Sequence, residues 1–545
     1  MKDTLLKDKT SSISFLMALE LIVIVVFAVI PLFVNLPYRI NIFLAWEGSY
    51  RMYLGQIPFK DFGLPLGYAF WVIPAIFFKI FGPYLFTLIK AQVFINIVGG
   101  ITFSLLLKSL GVRPAHKFIA VLLFVVSYSF INFWPWYNHT VFFYQLLSMF
   151  FLVQVLLHHR KGFKAYAFVV LSAFFLFFSI FTKQDGGAFA FFITFFVLIY
   201  YAIIQKSIWI PIIYGISLLI ISIIIIAPLL KYDFSYWFNY GQEPHSSRLF
   251  MSDFLEDIFK GSHWIKFYLL MIVILLMQRY DSIKDFVTDE RQFIWFLITM
   301  GILVQALLVQ VTSYIPDNVN IYFHSFAIAY LLSLIDIKGI LEYKSKLIIA
   351  SIMLLFWWSS DFWDYGQRMV SRIMPASLKS NRENVISKHT YRLPEDSANS
   401  DRSSWKSLQG MPAFKNILMP TSTIEGIQRL LNNTEINYAE AKVLNMSELT
   451  PLSYELGFAL ETGNNIPLWY HKDVALFDRE IEMYCNNIEN NYYDLVLFQT
   501  IDHLNNFYPN DVKVCLDEHY QLIDTFIAPR QIQDAQIHVF IRKNK

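Results

Sequence analysis

A chain of 545 residues would ordinarily divide into three or four soluble domains, but 56% of its residues are apolar, only 16% are charged and the mean hydropathy is +0.45. Fifty-three Phe and 31 Tyr exceed what a water-soluble core of this size needs, so the chain is read as a polytopic membrane protein. A net charge of +2 with no basic block argues against a nucleic-acid partner, and two cysteines are too few for a disulfide scaffold or a cysteine-based zinc site.

Twelve apolar runs follow one another from residue 14 to residue 359. The first, 14–34, is too long for a signal-peptide core and lacks a small-residue cleavage site, which predicts a retained anchor. The others lie near 65–81, 84–107, 117–134, 140–157, 165–181, 188–205, 208–230, 263–278, 292–313, 319–336 and 346–359. Crossing about 30 Å of hydrocarbon takes roughly 20 apolar residues. The run 65–81 has 17, is interrupted by Pro65 and Pro74, and carries Lys79. If it lies along the surface, sixteen Lys and Arg fall in short inside segments and eight in the longer outside ones; if it crosses, that bias reverses. The expectation is therefore eleven spans with the N-terminus inside, plus one juxtamembrane helix within a first outer loop at 35–83.

Beyond residue 360 the character changes. Residues 361–410 read as a linker, rich in Ser, Asn, Arg and Asp over 375–410, and 411–545 as a mixed α/β domain on the outer side. Asp494–Phe498 and Ile537–Ile541 suit buried strands, and Thr421–Glu425 suits a side-chain-capped helix start. Cys485 and Cys515 both fall in this domain, as a disulfide or as two buried thiols.

Ionisable groups are expensive near lipid, so their positions are informative. The runs are almost free of acids, Glu20 being the clearest exception with Asp336 at an inner edge, and acids recur in the outside loops where the runs end. Glu47 begins a short amphipathic stretch that Gly55 and Pro58 end, and Asp61 follows; either acid could serve as a base or simply pair with Arg51 or Lys60. Lys183-Gln184-Asp185-Gly186-Gly187 is a charged turn in which Lys183 could meet a phosphate and Asp185 could pair with it or hold a metal. The segment 231–262 carries Tyr240, His245 and Arg248, and residues 134–139 carry Trp136 and His139. Aromatics with scattered polar groups suit sugar stacking, or equally an interfacial belt. No P-loop, Rossmann glycine run, G-x-S-x-G elbow or H-E-x-x-H occurs, which excludes cytosolic nucleotide chemistry of those kinds.

The order of features in residues 14–110 resembles glycosyltransferases of the C superfold, in particular bacterial relatives of the protein O-mannosyltransferases and lipid A aminoarabinose transferases. The residues that carry the resemblance are Trp46-Glu47-Gly48, Gly55-Gln56-Ile57-Pro58-Phe59-Lys60-Asp61-Phe62, Pro65 and Phe81-Gly82. The Lys183-Gln184-Asp185 turn resembles one among bacterial members. The resemblance implies an integral inner-membrane transferase that takes sugar from a polyprenyl-phosphate donor to an acceptor lipid, glycan or protein outside the cytoplasm. It implies Glu47 as the base or part of a metal site, with Asp61 as a second loop acid.

The leaving phosphate needs a cation, for which Lys183 and Arg248 are the candidates. Gln184, Asp185, Trp136, His139 and Tyr240 are the candidate substrate contacts. A divalent metal would draw on Glu47, Asp185 or His245, and no other cofactor is called for. Glu47 and Lys183 are expected side by side in one cavity. The alternative readings are a transporter or flippase of a lipid-linked saccharide, and a non-catalytic envelope polysaccharide assembly protein.

Overall fold

The computed structural model of the chain describes residues 2–39, 42–127, 132–158, 162–241, 263–313, 322–335, 344–357, 405–434, 436–463, 466–468, 477–500, 509–530 and 535–543. Helices follow in chain order as α1 (Lys2–Val29), α2 (Ile42–Tyr53), α3 (Ala69–Phe81), α4 (Leu85–Ser109), α5 (Pro114–Val125) and α6 (Tyr137–Leu156). Then come α7 (Phe163–Ile180), α8 (Gln184–Gln205), α9 (Trp209–Ile226), α10 (His263–Arg279), α11 (Ile283–Thr288), α12 (Glu290–Ser313), α13 (Phe323–Leu334) and α14 (Lys344–Trp357). The C-terminal part adds α15 (Thr421–Leu431), α16 (Leu452–Leu456), α17 (Phe477–Glu489) and α18 (Asn510–His519). The chain forms two compact units: 1–30, 92–228 and 245–368 make the first, and 31–91, 229–244 and 369–545 the second.

The first unit is a helical bundle. Among the described residues, seven helices are long and apolar enough to cross a membrane: Phe15–Phe33, Leu85–Ser109, Tyr137–Leu156, Phe163–Ile180, Gln184–Gln205, Trp209–Leu229 and Glu290–Val309. This is an integral membrane protein. Three further apolar helices, α3, α5 and α13, are shorter. At 1.5 Å per residue the 13 residues of α3 reach only about 20 Å, with Pro74 inside. The isoleucine-rich α9 would favour a strand in water. In hydrocarbon a helix satisfies every backbone group within one segment, and α9 leaves Ile216, Leu219, Ile220, Ile223 and Ile224 open on its surface, as lipid requires. It buries Tyr214 and Ser217.

In contrast, α6 is buried almost all round. Ser148 and Ser172 each donate a hydroxyl to the other's carbonyl at 2.8 Å, fastening α6 to α7. Glu20, the acid that stood out in the first run, is 3% exposed and pairs with Lys117 at 2.9 Å, with Ser104 donating to the same oxygen at 2.8 Å.

The second unit holds two sheets. Strand β1 (Leu36–Pro37) runs parallel to β3 (Ile417–Met419), which pairs antiparallel with β2 (Lys406–Ser407). The larger sheet has the order β4 (Val443–Met446), β5 (Leu495–Thr500), β7 (Gln536–Arg542), β6 (Tyr520–Ile527), with only β4–β5 parallel. The apolar runs expected as strands are β5 and β7. Helices α17 and α18 close a core in which Tyr484, Ile488 and Leu516 meet Val496, Phe498 and Phe540. Cys485 and Cys515 form a disulfide between these helices.

The helix expected from Thr421 begins there, but without a side-chain cap. Thr423, the residue two positions on, instead donates its hydroxyl to the Ile527 carbonyl at 2.7 Å, so this hydroxyl serves the sheet edge rather than the helix end.

Candidate active site

The candidate base sits on α2. Its sequence, Ile42-Phe-Leu-Ala-Trp-Glu-Gly-Ser-Tyr-Arg-Met-Tyr53, has no Pro and ends at Gly55, whose φ of +84° suits glycine. Two indoles fix the helix: Trp46 donates Nε1–H to the Pro83 carbonyl at 2.9 Å, and Trp71 of α3 donates to the Leu44 carbonyl at 3.2 Å. Gly48 lies so close under Trp71 that a Cβ there would come within 2.0 Å of the ring. This close approach requires glycine immediately after Glu47.

Glu47 and Arg51 stand one turn apart on the same face, the spacing at which opposite charges meet on a helix. Arg51 Nε donates to Glu47 Oε1 at 2.9 Å, and Nη2 lies 2.9 Å from the same oxygen. Nη1 donates to Gln56 Oε1 at 3.0 Å and to the backbone carbonyl of Glu461 at 2.9 Å. Burial pushes the Glu47 carboxyl above the usual carboxylate range, against the opposing charge and hydrogen bond of Arg51. Glu461 is displaced the same way by burial, opposed by the Tyr493 hydroxyl, which donates to its two oxygens at 3.1 and 3.2 Å, and by Arg51.

Glu47, Arg51 and Glu461 line one polar pocket, with Asn445, Thr450 and Tyr484 on its wall. One guanidinium and two carboxyl groups therefore face a polar pocket, in which a carboxylate of raised pKa makes a better proton acceptor than an exposed one. Nothing in the sequence around Glu461 announced it, since the residues it joins lie some 400 positions away.

Asp61 belongs to the same unit but not to the lining of this cavity. Its Oδ2 accepts from the Ile57 amide at 2.7 Å, its amide donates to the Ile57 carbonyl at 2.9 Å, and Lys60 stands 3.7 Å away. Asp61 thus fastens the turn that follows Gly55. That turn is held from elsewhere in the unit as well, because the Gly463 amide donates to the Asp61 carbonyl at 2.9 Å and Gly63 pairs with Ile466 and Leu468.

Lys183, Gln184 and Asp185 lie in the first unit at the start of α8. Lys183 Nζ is 2.9 Å from Asp185 Oδ2, so these two pair with each other, and Asp185 Oδ1 accepts from the Gly186 amide at 2.6 Å. A Cβ at Gly187 would come within 2.2 Å of the Ile180 backbone, so glycine is needed there for close approach of α7 and α8. Trp136 and His139, also in the first unit, meet edge to face with ring centroids 5.1 Å apart. Tyr240 lies in the 3-10 helix Phe234–Gly241 of the second unit. Arg248 and His245 fall outside the described residues. Among the described residues no three His, Cys, Asp or Glu side chains gather as a metal's donor set does.

No family model and no curated protein matches the sequence. Among solved structures, ArnT from Cupriavidus metallidurans in the apo state is similar at 10% identity over 98% of each chain, with a TM-score of 0.50. The same organism's ArnT bound to undecaprenyl phosphate aligns over 63% of each chain at 12% identity and a TM-score of 0.40. At these identities the first likeness is one of fold. The chain has the fold of ArnT, a lipid A aminoarabinose transferase of the GT-C type.

Proposed function

We propose that the protein is a membrane glycosyltransferase that moves a sugar from a polyprenyl-phosphate donor to an acceptor hydroxyl on the extracytoplasmic side. The observation that carries this reading is the enclosed carboxylate of Glu47, clamped by Arg51 and raised by burial, on a wall of a polar cavity in a chain with the fold of a lipid-sugar transferase.

In the proposed step the Glu47 carboxylate takes the proton of the acceptor hydroxyl. The acceptor oxygen bonds to the anomeric carbon, and the bond from that carbon to the lipid phosphate breaks with its electron pair on the phosphate. A cation near the phosphate lowers the barrier to this departure, and Lys183 is the residue assigned to it, with Arg248 as a second. Asp185 would hold the Lys183 ammonium until the donor arrives. Gln184, Trp136, His139 and Tyr240 are assigned to the donor's sugar and phosphate, and Asp61 to keeping the loop after α2 in shape. The C-terminal unit, through Glu461 and Asn445, is assigned to the acceptor.

The test is reconstitution of the full chain in bilayers with a polyprenyl-phosphate hexose and a range of hydroxylated acceptors. Wild type is expected to form the glycoside, and Glu47→Gln to lose at least a hundredfold in rate. Undiminished transfer by Glu47→Gln removes Glu47 from the base role. Passage of the lipid-linked sugar across the bilayer without transfer replaces the enzyme reading with a transporter.

A further inference from the structure

A pocket that holds one guanidinium and two carboxyl groups must decide which acid keeps the cation. Arg51 gives Nε and Nη2 to Glu47 Oε1, both at 2.9 Å, and reaches Glu461 through Nη1 and the main-chain carbonyl at 2.9 Å. The Glu461 carboxylate takes its hydrogen bonds from a neutral donor instead: the Tyr493 hydroxyl lies 3.1 Å from one oxygen and 3.2 Å from the other.

Tyr493 is buried and held at every polar atom. Its amide donates to the Tyr520 hydroxyl at 3.1 Å, and its carbonyl accepts from that hydroxyl at 2.7 Å and from Arg542 Nε at 3.0 Å. Tyr520 belongs to β6 and Arg542 to β7, so the larger sheet fixes where this side chain stands. Asn487 Nδ2 of α17 donates to the Tyr493 hydroxyl oxygen at 3.1 Å, which leaves the hydroxyl hydrogen for Glu461. Burial pushes both carboxyls above the usual range; Arg51 opposes it at Glu47, and Tyr493 and then Arg51 oppose it at Glu461. The titratable and charged groups on the pocket wall are Glu47, Arg51, Glu461 and Tyr484.

We propose that Tyr493 is a positioning residue for the candidate base: by giving the Glu461 carboxylate a neutral donor, it keeps that carboxylate off Arg51 and reserves the guanidinium for Glu47. Without the hydroxyl, the buried Glu461 carboxylate turns to the guanidinium whose Nη1 now serves its own main chain and Gln56. Rotation of the guanidinium toward Glu461 lengthens its contact with Glu47, and Glu47 then keeps its proton to higher pH. The catalytic meaning of this rests on Glu47 being the base; the partition of Arg51 between two acids does not.

The experiment uses the full chain in phosphatidylcholine nanodiscs and follows Glu47 itself by pH-titrated infrared difference spectroscopy, its protonated carboxyl band being identified by its loss in Glu47→Gln. Tyr493→Phe is expected to raise the Glu47 midpoint by about one pH unit. Adding Glu461→Gln to Tyr493→Phe should bring the midpoint back, because the competing carboxylate is gone. The acid limb of transfer by Tyr493→Phe should move by the same amount, with the rate recovering at high pH. An unchanged melting temperature verifies the fold of Tyr493→Phe. Should it melt early, Asn487→Ala takes its place, since it leaves the ring and removes the amide that orients the hydroxyl; a smaller rise in the midpoint is then expected.

An unmoved Glu47 midpoint in the folded variant overturns the proposal. So does a raised midpoint that persists after Glu461→Gln is added, because competition for Arg51 is then not its source. The midpoint is read without transfer, so these outcomes stand apart from the base assignment, whose failure shows as undiminished transfer by Glu47→Gln.

Discussion

Arg51 donates to the backbone carbonyl of Glu461 at 2.9 Å across 410 residues of sequence, while its Nε holds the carboxylate of Glu47 one turn earlier on the same helix. A single guanidinium therefore links the candidate base to the segment around Glu461.

Removing that guanidinium should change activity in a pH-dependent way. Arg51 draws the Glu47 carboxyl downward against burial. Arg51→Met should therefore raise its pKa further, shrink the ionised fraction at neutral pH and cut transfer about tenfold or more at pH 7. The acid limb of the pH–rate profile should move to higher pH, and Arg51→Lys should restore part of the rate by keeping a charge there. A profile that drops uniformly with no shift would make Arg51 structural only.

A second carboxylate governs stability. Glu480 of α17 is 2% exposed, accepts a hydrogen bond from the Tyr236 hydroxyl, and is pushed up to about 8 by burial, against the opposing effects of Tyr236 and Arg479. Between about 4.5, its ordinary value, and about 8 the folded chain holds a proton that the unfolded chain releases. Stability contributed at this site is thus full at low pH and is lost as pH rises through that window. Glu480→Gln should flatten the loss and raise the melting temperature above pH 8, as thermal melts from pH 5 to pH 9 would record.

Within the bundle, Glu20 and Lys117 are 3% and 5% exposed and meet at 2.9 Å. Deleting one partner leaves the other charged or forces it neutral in an apolar surround. Glu20→Ala should destabilise by about 3–5 kcal/mol, while the paired replacement Glu20→Leu with Lys117→Met should recover most of that. Chemical denaturation of the reconstituted protein, read as a double-mutant cycle, measures the coupling.

The Cys485–Cys515 bond closes a loop of 30 residues between α17 and α18. Loop-closure entropy assigns such a bond about 3–4 kcal/mol. Reduction, or the double Cys→Ser replacement, should lower the melting temperature of the C-terminal region and leave the helical bundle's transition in place. Scanning calorimetry with and without reductant tests this.

Much of the fold is legible in the sequence because hydrocarbon imposes it: long apolar runs become helices wherever backbone groups find no water. Pro74 and a short apolar stretch set α3 apart from the long helices, and the short, mostly continuous apolar runs at 494–498 and 537–541 correspond to β5 and β7. The candidate site was half legible. Glu47 and Arg51 are local neighbours at helical spacing, so their pairing follows from the chain itself. Gln56 follows Arg51 by five residues in the same segment, whereas Glu461 and Tyr493 join through tertiary contacts that no spacing reveals. Glu20 stood out as an acid in lipid, but its partner Lys117 had been legible only as a charge at a span's inner edge. The capped start expected over Thr421–Glu425 is not formed because the N-cap position falls on Pro420, whose side chain has no acceptor.

Strand β1 carries a further consequence for biogenesis. Leu36 and Pro37 pair in parallel with Ile417 and Leu418, so two residues just past the first membrane helix wait for partners synthesised about 380 residues later. At roughly 5–20 residues per second, a ribosome needs tens of seconds to deliver them. For nearly all of that interval the small sheet lacks two of its three strands, β2 and β3, while helix after helix is handed to the insertion machinery. High contact order of this kind makes closure of the β1–β3 ladder a late event, after translation has passed residue 418.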